Sequence, residues 1–272
     1  MESEIQMSGR DIASDLIKGI FDDYIKESRP EFMPENSDDP LIRLLNYYRI
    51  CADVIQRKGH LPRTTYDADA RYYFTLEGHT AYGNKKRALR GDIMVSFWTP
   101  YNAALMEKGL TPPDPDKKSF GKCFEDIDFL IANAEEDGFR EVNRGFRLFA
   151  EVYHSPGNFL FLPPPDPDGR MNNVRYSCSK DKIDETLYHC FSGSDRKLAK
   201  YFGTDKALYD WIREQNLNSG LLFKNKEVAR DKIICLSGHG DIHLGYPEMA
   251  KRGLLGTFIE NVIKLINERN GE

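Results

Sequence analysis

The strongest local signal for chemistry is the segment Ser237–His243, in which an aspartate stands between two histidines. Its residues His239, Asp241 and His243 alternate along the chain, so an extended backbone would place all three on one face. A helical backbone would still make the two histidines neighbours at i and i+4. Imidazole and carboxylate groups are ligands that suit zinc or iron, and they also carry protons in acid–base catalysis. The sequence therefore predicts catalytic groups and a divalent-metal site at these three positions. The alternative is a glycine-rich loop whose His and Asp side chains bond nearby backbone.

Known metal and phosphate motifs do not fit the chain. No histidine follows His243, which excludes the iron-oxygenase pattern that needs a distant downstream histidine. The zinc-protease pattern His-Glu-x-x-His is absent, and so are the P-loop and the dinucleotide-binding glycine pattern. A calcium loop that begins at Asp166 would have Ser177 where its last carboxylate is required. The sequence motifs therefore do not identify which metal would bind.

A basic cluster offers a second place for an anionic ligand. Lys85, Arg87 and Arg90 lie close together, with Lys86 among them and with Tyr82 nearby. Cations interleaved with aromatic rings can bind a phosphate or a single-stranded nucleic acid. The alternative is a solvated loop, which is the usual place of a charge run.

Arg147 and His154 have the spacing of a nuclease motif. The pair resembles the Arg-x-His motif of small helical ribonucleases, in which both residues lie on or just beyond a helix. Here the segment Arg147–His154 is rich in aromatic and β-favouring residues and is predicted to be a strand, which opposes the nuclease hypothesis.

Hydrophobic periodicity and capping residues predict the secondary structure. Helices are predicted over 8–27, from an Asp39 cap and Pro40 to Gly59, from Thr99 and Pro100 to Gly109, and over 119–136, 180–191, 204–211 and 254–268. Strands are predicted over 71–75, 92–98, 147–154, 158–162 and 233–236. The order indicates an α+β fold, with a strand-rich middle sheet flanked by N-terminal and C-terminal helices. We expect a single globular domain over 1–272, made of a helical pair (1–60), a mixed α/β body (61–252) and a C-terminal helix (253–272).

Composition limits the classes of protein that fit. The chain has 272 residues, of which 40% are hydrophobic and 12% aromatic, and this is enough for a sizeable core. A net charge of -5 opposes a dedicated duplex-DNA binder but allows a small anionic ligand in a local basic pocket. The five cysteines are scattered and form no Cys-x-x-Cys pair, which argues against a disulfide framework. With no long apolar run and no signal peptide at its start, the protein is expected to be cytoplasmic and to have no membrane partner.

One stretch resembles a known family. Met171–Arg175, followed by Ile183–Leu187 and Cys190, is similar to an uncharacterised bacterial family, a domain of unknown function. In that family an Asn-x-x-Arg element precedes a Thr-Leu-x-x-Cys helix. The resemblance directs attention to Asn172 and Arg175 as ligand-binding residues, because an amide offers both a donor and an acceptor and a guanidinium offers a planar fork for carboxylate or phosphate. The alternative is a turn cap and a local ion pair.

Three hypotheses of function follow. In the first, the protein is an enzyme or a ligand-binding protein for a small phosphorylated or nucleotide-like molecule. Asn172 and Arg175 would then hold the anion beside the histidine segment. In the second, it is a non-catalytic interaction module of a bacterial or prophage/defence locus, which requires an exposed aromatic surface that contains Phe97, Trp98 and Tyr101. In the third, it acts on single-stranded RNA through the basic cluster.

Overall fold

Helices form most of the part of the chain that the structure describes. The computed structural model describes residues 37–46, 48–49, 91–110, 124–161, 182–192, 202 and 204–271. The helices are residues 40–46 with 48–49 (α1), Trp98–Glu107 (α2), Phe124–Ala132 (α3), Asp137–Val152 (α4), Ile183–Ser192 (α5), Asp205–Glu214 (α6), Tyr246–Lys251 (α7) and Leu255–Asn270 (α8). Short 3-10 turns cover Pro156–Asn158, Lys224–Lys226 and Arg230–Lys232. Within these ranges, no helix is both long enough and apolar enough to cross a bilayer.

The predicted strand-rich middle sheet, and with it the α+β class, is wrong for the described residues. Strand structure there consists of Gly91–Ile93 (β1) paired antiparallel with Phe159–Phe161 (β2), together with one isolated bridge between Phe223 and Ile233. The strand predicted over 92–98 ends at Ile93, and the one over 233–236 is reduced to that bridge. The described chain is mainly α-helical.

The clearest error concerns residues 147–154: residues 147–152 continue helix α4 and residues 153–154 form a turn, so the predicted strand is not formed. The buried residues Phe139, Phe146, Phe149 and Tyr153 recur at intervals of three, four and seven, which is the period of a helix. Sixteen residues with this period outweigh the β propensity of single aromatic side chains. The partner of β2 is therefore β1 and not the segment before the turn.

An asparagine side chain ends this small sheet. Backbone pairing continues for one residue beyond β1, where the amide of Met94 donates to the carbonyl of Asn158 at 2.5 Å. The side-chain amide of Asn158 then replaces the backbone, because its Oδ1 accepts from the Val95 amide at 3.1 Å and its Nδ2 donates to the Tyr153 carbonyl at 2.9 Å. These bonds satisfy buried backbone groups that a longer strand would otherwise have to pair.

Several predicted helices are confirmed, with the caps that the sequence indicated. The Asp39 carboxylate accepts from the Leu41 amide at 2.9 Å at the start of α1. The Thr204 hydroxyl accepts from the Ala207 amide at 3.2 Å at the start of α6. The predicted apolar stripe of α8 is buried as expected. Helix α2, in contrast, begins at Trp98, so Thr99 lies inside it and is not its cap.

Aromatic side chains from separate segments fill the centre of one hydrophobic cluster to which all the helices contribute. Phe97 and Tyr101 are fully buried, with ring centroids 5.3 Å apart, and Phe97 also meets the ring of Phe146 at 5.6 Å. Trp98 is half-buried and packs against the same cluster. The exposed aromatic surface that the interaction-module hypothesis required at residues 97–101 is therefore not formed.

The last turn of α8 holds distant segments together. The Arg269 guanidinium donates to the carbonyl of Gln215 at 2.8 Å and to that of Phe159 at 2.7 Å, and it also reaches the carbonyl of Gly157. Gly157 lies so close to α8 that a Cβ there would overlap the carbonyl oxygen of Ile266. Predicted elements over 8–27 and 71–75 lie outside the described residues, and nothing tests the boundaries at 60 and 253.

Candidate metal centre

Helix α5 presents two metal-ligand types on one face. Ile183, Leu187 and Cys190 are buried against the core, as the stripe in the sequence predicted. Glu185 and His189 are four residues apart, so their side chains lie one above the other beside that stripe. The Glu185 carboxylate is almost fully buried, whereas the His189 side chain is 23% exposed. This face of α5 therefore extends from the buried carboxylate of Glu185 to the partly exposed ring of His189.

The segment before α7 supplies the third group. Residues 235–245 form consecutive turns, neither extended nor helical. The Ser237 hydroxyl accepts from the His239 amide at 3.3 Å, and the Asp241 carboxylate accepts from the His243 amide at 3.0 Å. The His239 Nδ1 atom accepts from the Asp241 amide at 3.2 Å. These local bonds match the glycine-rich loop that was the alternative in the sequence, and they leave the His243 ring directed at α5.

Glu185, His189 and His243 converge. One Glu185 oxygen, Oε1, lies 3.4 Å from His243 Nδ1 and 3.7 Å from His189 Nε2. One ligand atom from each of the three residues lies within 4.8 Å of the others. Ligand atoms about 2.1 Å from a tetrahedral zinc ion are roughly 3.4 Å from one another. The two measured distances from Glu185 Oε1 are thus close to the ligand–ligand distances of a zinc site.

A buried lysine fixes the other half of the Glu185 carboxylate. The side chain of Lys182 is 1% exposed, and its ammonium lies 3.4 Å from Glu185 Oε2. The same ammonium donates to the carbonyl of Leu244 at 3.1 Å and to that of Ile242, which are the two residues on either side of His243. Lys182 thereby ties the loop to α5 and leaves Glu185 Oε1 to face both imidazoles. Carboxylate ligands of metals are commonly held by such a hydrogen-bonded partner.

A second buried carboxylate lies behind the cluster. Asp184 accepts from the amides of Glu185 and Leu236, at 2.8 and 2.9 Å, and burial raises the pKa of its carboxyl group. Cys235 is half-buried. Its burial, and to a smaller extent the charge of Asp184, raises the pKa of the Cys235 thiol to about 11. The Cys235 thiol is therefore protonated at neutral pH, and it does not belong to the converging group.

Tyr188 joins the cluster to a cation at the surface. Its ring meets the His243 ring edge-on, with centroids 5.2 Å apart and planes at 86°. Its hydroxyl accepts from Arg230 Nη2 at 2.9 Å, and the Arg230 guanidinium carbon lies 4.9 Å from the centroid of the Tyr188 ring. A guanidinium is thus held on the ring that borders His243.

The structure brings only one of the three predicted ligands into this group. His243 belongs to it, whereas the side chains of His239 and Asp241 bond within their own loop. Asn172, Arg175, Lys85, Arg87 and Arg90 all lie outside the described residues, so their predicted roles are not tested.

The Arg147–His154 pair does lie on and just beyond a helix, as the nuclease motif requires, but Arg147 has other partners. Its guanidinium donates to Asp39 at 2.8 Å and also pairs with Glu135, and these carboxylates raise its pKa. His154 is buried. Arg147 thereby joins α4 to the cap of α1 and to the turn after α3, and these contacts offer no support for a nuclease site.

Sequence reasoning missed Glu185 and His189. The signal that could have found them is the Glu-x-x-x-His spacing inside a helix that the sequence predicted correctly, since i and i+4 side chains share a face. Their convergence with His243 could not have been read from the sequence, because more than fifty residues separate the helix from the loop.

Comparisons with known proteins give no further guide: no protein-family model matches the chain, and no curated protein or solved structure is similar to it. The likeness of residues 171–190 to an uncharacterised bacterial family is neither supported nor opposed by this result.

Proposed function

We propose that the protein binds a divalent transition metal, with zinc as the preferred ion, through Glu185, His189 and His243, and that it is a metal-dependent hydrolase. The observation that carries the proposal is the convergence of these three side chains from α5 and the 235–245 loop. Two imidazole nitrogens favour zinc or iron(II) over calcium and magnesium, which prefer oxygen ligands. The spacing around Glu185 Oε1 fits a tetrahedral zinc ion.

The ligand count supports a catalytic rather than a structural metal. Structural zinc sites are closed by four protein ligands, whereas catalytic sites have three and keep the fourth position for water. Among the described residues three side chains converge, and His243 is half-exposed, which leaves a fourth position for water. Zinc in such a site lowers the pKa of its bound water to about 7, which makes hydroxide available at neutral pH.

The first experiment is a zinc titration of the full chain after treatment with a chelator. We expect about one zinc ion per chain in the wild type. We expect at least a hundredfold weaker binding in His189→Ala, His243→Ala and Glu185→Gln, because each change removes a ligand. His239→Ala is the matched control, since it removes a histidine from the same loop but outside the cluster, and it should keep wild-type affinity. Circular dichroism of each variant checks that the chain is folded.

Two results of this titration would contradict the proposal. If the wild type binds no zinc, the three side chains form only an ion-pair cluster around Lys182. If zinc binds equally well to His189→Ala and His243→Ala, the ion lies elsewhere in the chain.

The open position is tested with cobalt in place of zinc. A cobalt-bound water that ionises near neutral pH changes the visible spectrum of the ion as the pH rises through about 7. We expect a reversible spectral change of this kind in the wild-type chain. A spectrum that stays constant from pH 6 to pH 9 would indicate that a fourth protein ligand closes the site, and it would exclude the hydrolytic role.

The substrate class predicted from the sequence, a small phosphorylated or nucleotide-like molecule, remains part of this proposal. Its predicted anion-binding pair, Asn172 and Arg175, lies outside the described residues. The RNA hypothesis depends on the basic cluster at 85–90, which also lies outside them, and it stays a prediction.

A further inference from the structure

We infer that Arg230, held on the ring of Tyr188, is the anion-binding element of this site and that the substrate carries a phosphate monoester. The inference rests on the proposed metal site and adds the substrate group that the site accepts. Four points support it: the position of the guanidinium, the absence of a carboxylate partner among the described residues, the charge of the site, and the geometry of the anion.

The Arg230 guanidinium lies close to the cluster through its contact with Tyr188. Tyr188 precedes His189 in α5, and its ring contacts the ring of His243. Arg230 lies on that same ring and donates to its hydroxyl, so Tyr188 links the guanidinium to the ring of His243. A guanidinium held by stacking and by a hydrogen bond is pre-organised, and a ligand that binds to it need not immobilise a mobile side chain.

Arg230 also keeps most of its hydrogen-bonding capacity. A guanidinium has five N–H donors, and within the described residues its bond is to the Tyr188 hydroxyl. No carboxylate of the described residues forms an ion pair with Arg230, since the adjacent Asp231 pairs with Lys232 at 3.4 Å. The exposed guanidinium can therefore offer a two-pronged contact to an anion.

The charges of the loaded site favour an anion as well. A divalent ion would be met by the single carboxylate of Glu185, and the buried ammonium of Lys182 already lies 3.4 Å from that carboxylate. With Arg230 added, the surface around the open position carries an excess of positive charge. The exposed Asp241 carboxylate is bonded to the His243 amide in its own turn. A cleft of one charge sign attracts substrates of the opposite sign.

Geometry selects phosphate over carboxylate. A phosphate monoester has three non-ester oxygens, so one can approach the metal while two accept from the guanidinium fork. A carboxylate has two oxygens, so one of them would have to be shared between the metal and the fork.

The reaction would be hydrolysis of the monoester. The oxygen of a water molecule forms a new bond to phosphorus, the bond between phosphorus and the ester oxygen breaks, and the ester oxygen takes a proton from the water. The products are an alcohol and hydrogen phosphate, with no change of oxidation state.

Phenylphosphonate, which cannot be hydrolysed in this way, is the binding probe for the zinc-loaded full chain, and calorimetry is the measurement. We expect binding by the wild type, at least tenfold weaker binding by Arg230→Gln, and an intermediate affinity for Arg230→Lys, which keeps the charge but loses the fork. Lys232→Gln is the matched control, because it removes one positive charge from the same 3-10 turn, and it should bind within twofold of the wild type. Zinc affinity should be the same in all four proteins.

Failure of this inference can be told apart from failure of the metal site. Zinc binding that is normal in the wild type, with phenylphosphonate affinity unaffected by Arg230→Gln, would overturn the role of Arg230 alone. Benzoate binding as tight as that of phenylphosphonate would overturn the choice of phosphate. A wild type that binds no zinc would overturn both proposals. Zinc-dependent release of phosphate from phenyl phosphate, with a lower kcat/KM in Arg230→Gln, is the expected activity.

Discussion

Lys182 shows how one residue can determine the geometry of a site without belonging to its ligands. Its ammonium is the common partner of the Glu185 carboxylate and of the two carbonyls that flank His243. A buried ammonium is tolerated only where its hydrogen bonds are made, and here they are made to the two elements that form the cluster. The position of His243 relative to α5 therefore depends on Lys182.

Lys182→Met tests this dependence. The change leaves the Glu185 carboxylate buried without its cation and leaves two carbonyls without a donor. We expect the free energy of unfolding to fall by about 3–5 kcal/mol, as for other buried ion pairs that lose one partner. Urea denaturation followed by circular dichroism measures it.

The matched control is Lys206→Met, which breaks the exposed pair with Asp210 on α6. An exposed i, i+4 pair contributes about 0.3–0.5 kcal/mol, so this variant should be nearly as stable as the wild type. A similar loss in both variants would show that the buried contacts of Lys182 do not stabilise the loop.

Among individual residues, the sequence predicted only one member of the cluster that the structure forms. His243 was predicted as a ligand and lies in the cluster, whereas Glu185 and His189 were missed. Alternation of side chains predicted that His239 and Asp241 would join His243, but the glycines of the loop allow turns instead, and Gly238 has a φ of +72°. Local turn chemistry, which a short motif does not reveal, decided the outcome.

Among the contacts between elements, the one between the 156–158 turn and α8 leaves the least space for a side chain. The amide of Gly157 donates to the side chain of Asn270 at 2.7 Å, and its Cα faces the backbone of α8. Only a residue without a side chain allows this approach. Pro156 and Gly157 stand between two predicted strands, which favours a turn, but the sequence does not show what that turn packs against.

Gly157→Ala should therefore destabilise the fold. The added methyl group overlaps backbone and cannot be relieved by a side-chain rotation, so we expect a loss of at least about 1–3 kcal/mol, the range for overpacked cores. Thermal denaturation measures the change.

Gly145→Ala provides the opposite control within α4. A methyl group at Gly145 meets no atom within 4 Å, and alanine is the better helix former, so stability should rise by roughly 0.5–1 kcal/mol. Equal effects of the two substitutions would rule out the close approach at Gly157.

Periodicity explains which elements the sequence predicted well. Helices α5, α6 and α8 each have an apolar stripe of helical period and lie close to where they were expected, and α1 begins where it was expected. The error in α4 came from weighing aromatic residues as strand formers. A short segment rich in Phe and Tyr satisfies either assignment, and only the spacing over the whole of Asp137–Val152 separates them.

At the scale of the whole molecule, the proposed metal would couple to global stability. Helix α5 and the 235–245 loop contribute Leu187 and Leu236 to the same hydrophobic cluster as α4 and α8. An ion that binds only when α5 and the loop are in contact binds the folded state and not the unfolded chain, and this stabilises the former by mass action.

Zinc should therefore raise the melting temperature of the wild-type chain. At a concentration one hundred times the Kd, the gain is about 2.7 kcal/mol. For a chain of this length, that corresponds to a shift of roughly 5 °C or more. Scanning fluorimetry with and without zinc measures the shift. The double variant with His189→Ala and His243→Ala should show none, and a shift of the same size in that variant would place the stabilising ion elsewhere.

The fold class was predicted less well from the sequence than the individual helices were. An aromatic-rich middle region was expected to form a sheet, yet Phe97, Tyr101 and Phe149 meet in the interior between helices. Aromatic side chains contribute the same buried area from either type of element, so their abundance indicates a core and not the class of the fold. The pairing of β1 with β2, sixty-six residues apart in register at Ile93 and Phe159, follows from packing that no local pattern contains.

The bonds of Arg269 have a consequence for synthesis on the ribosome. The Gly157 and Phe159 carbonyls are separated from Arg269 by 112 and 110 residues. At about 5–20 residues per second, these carbonyls leave the ribosome roughly ten seconds before the guanidinium that binds them. During that interval water or a chaperone must satisfy them, and the nascent chain cannot complete this part of its native structure until α8 has been translated.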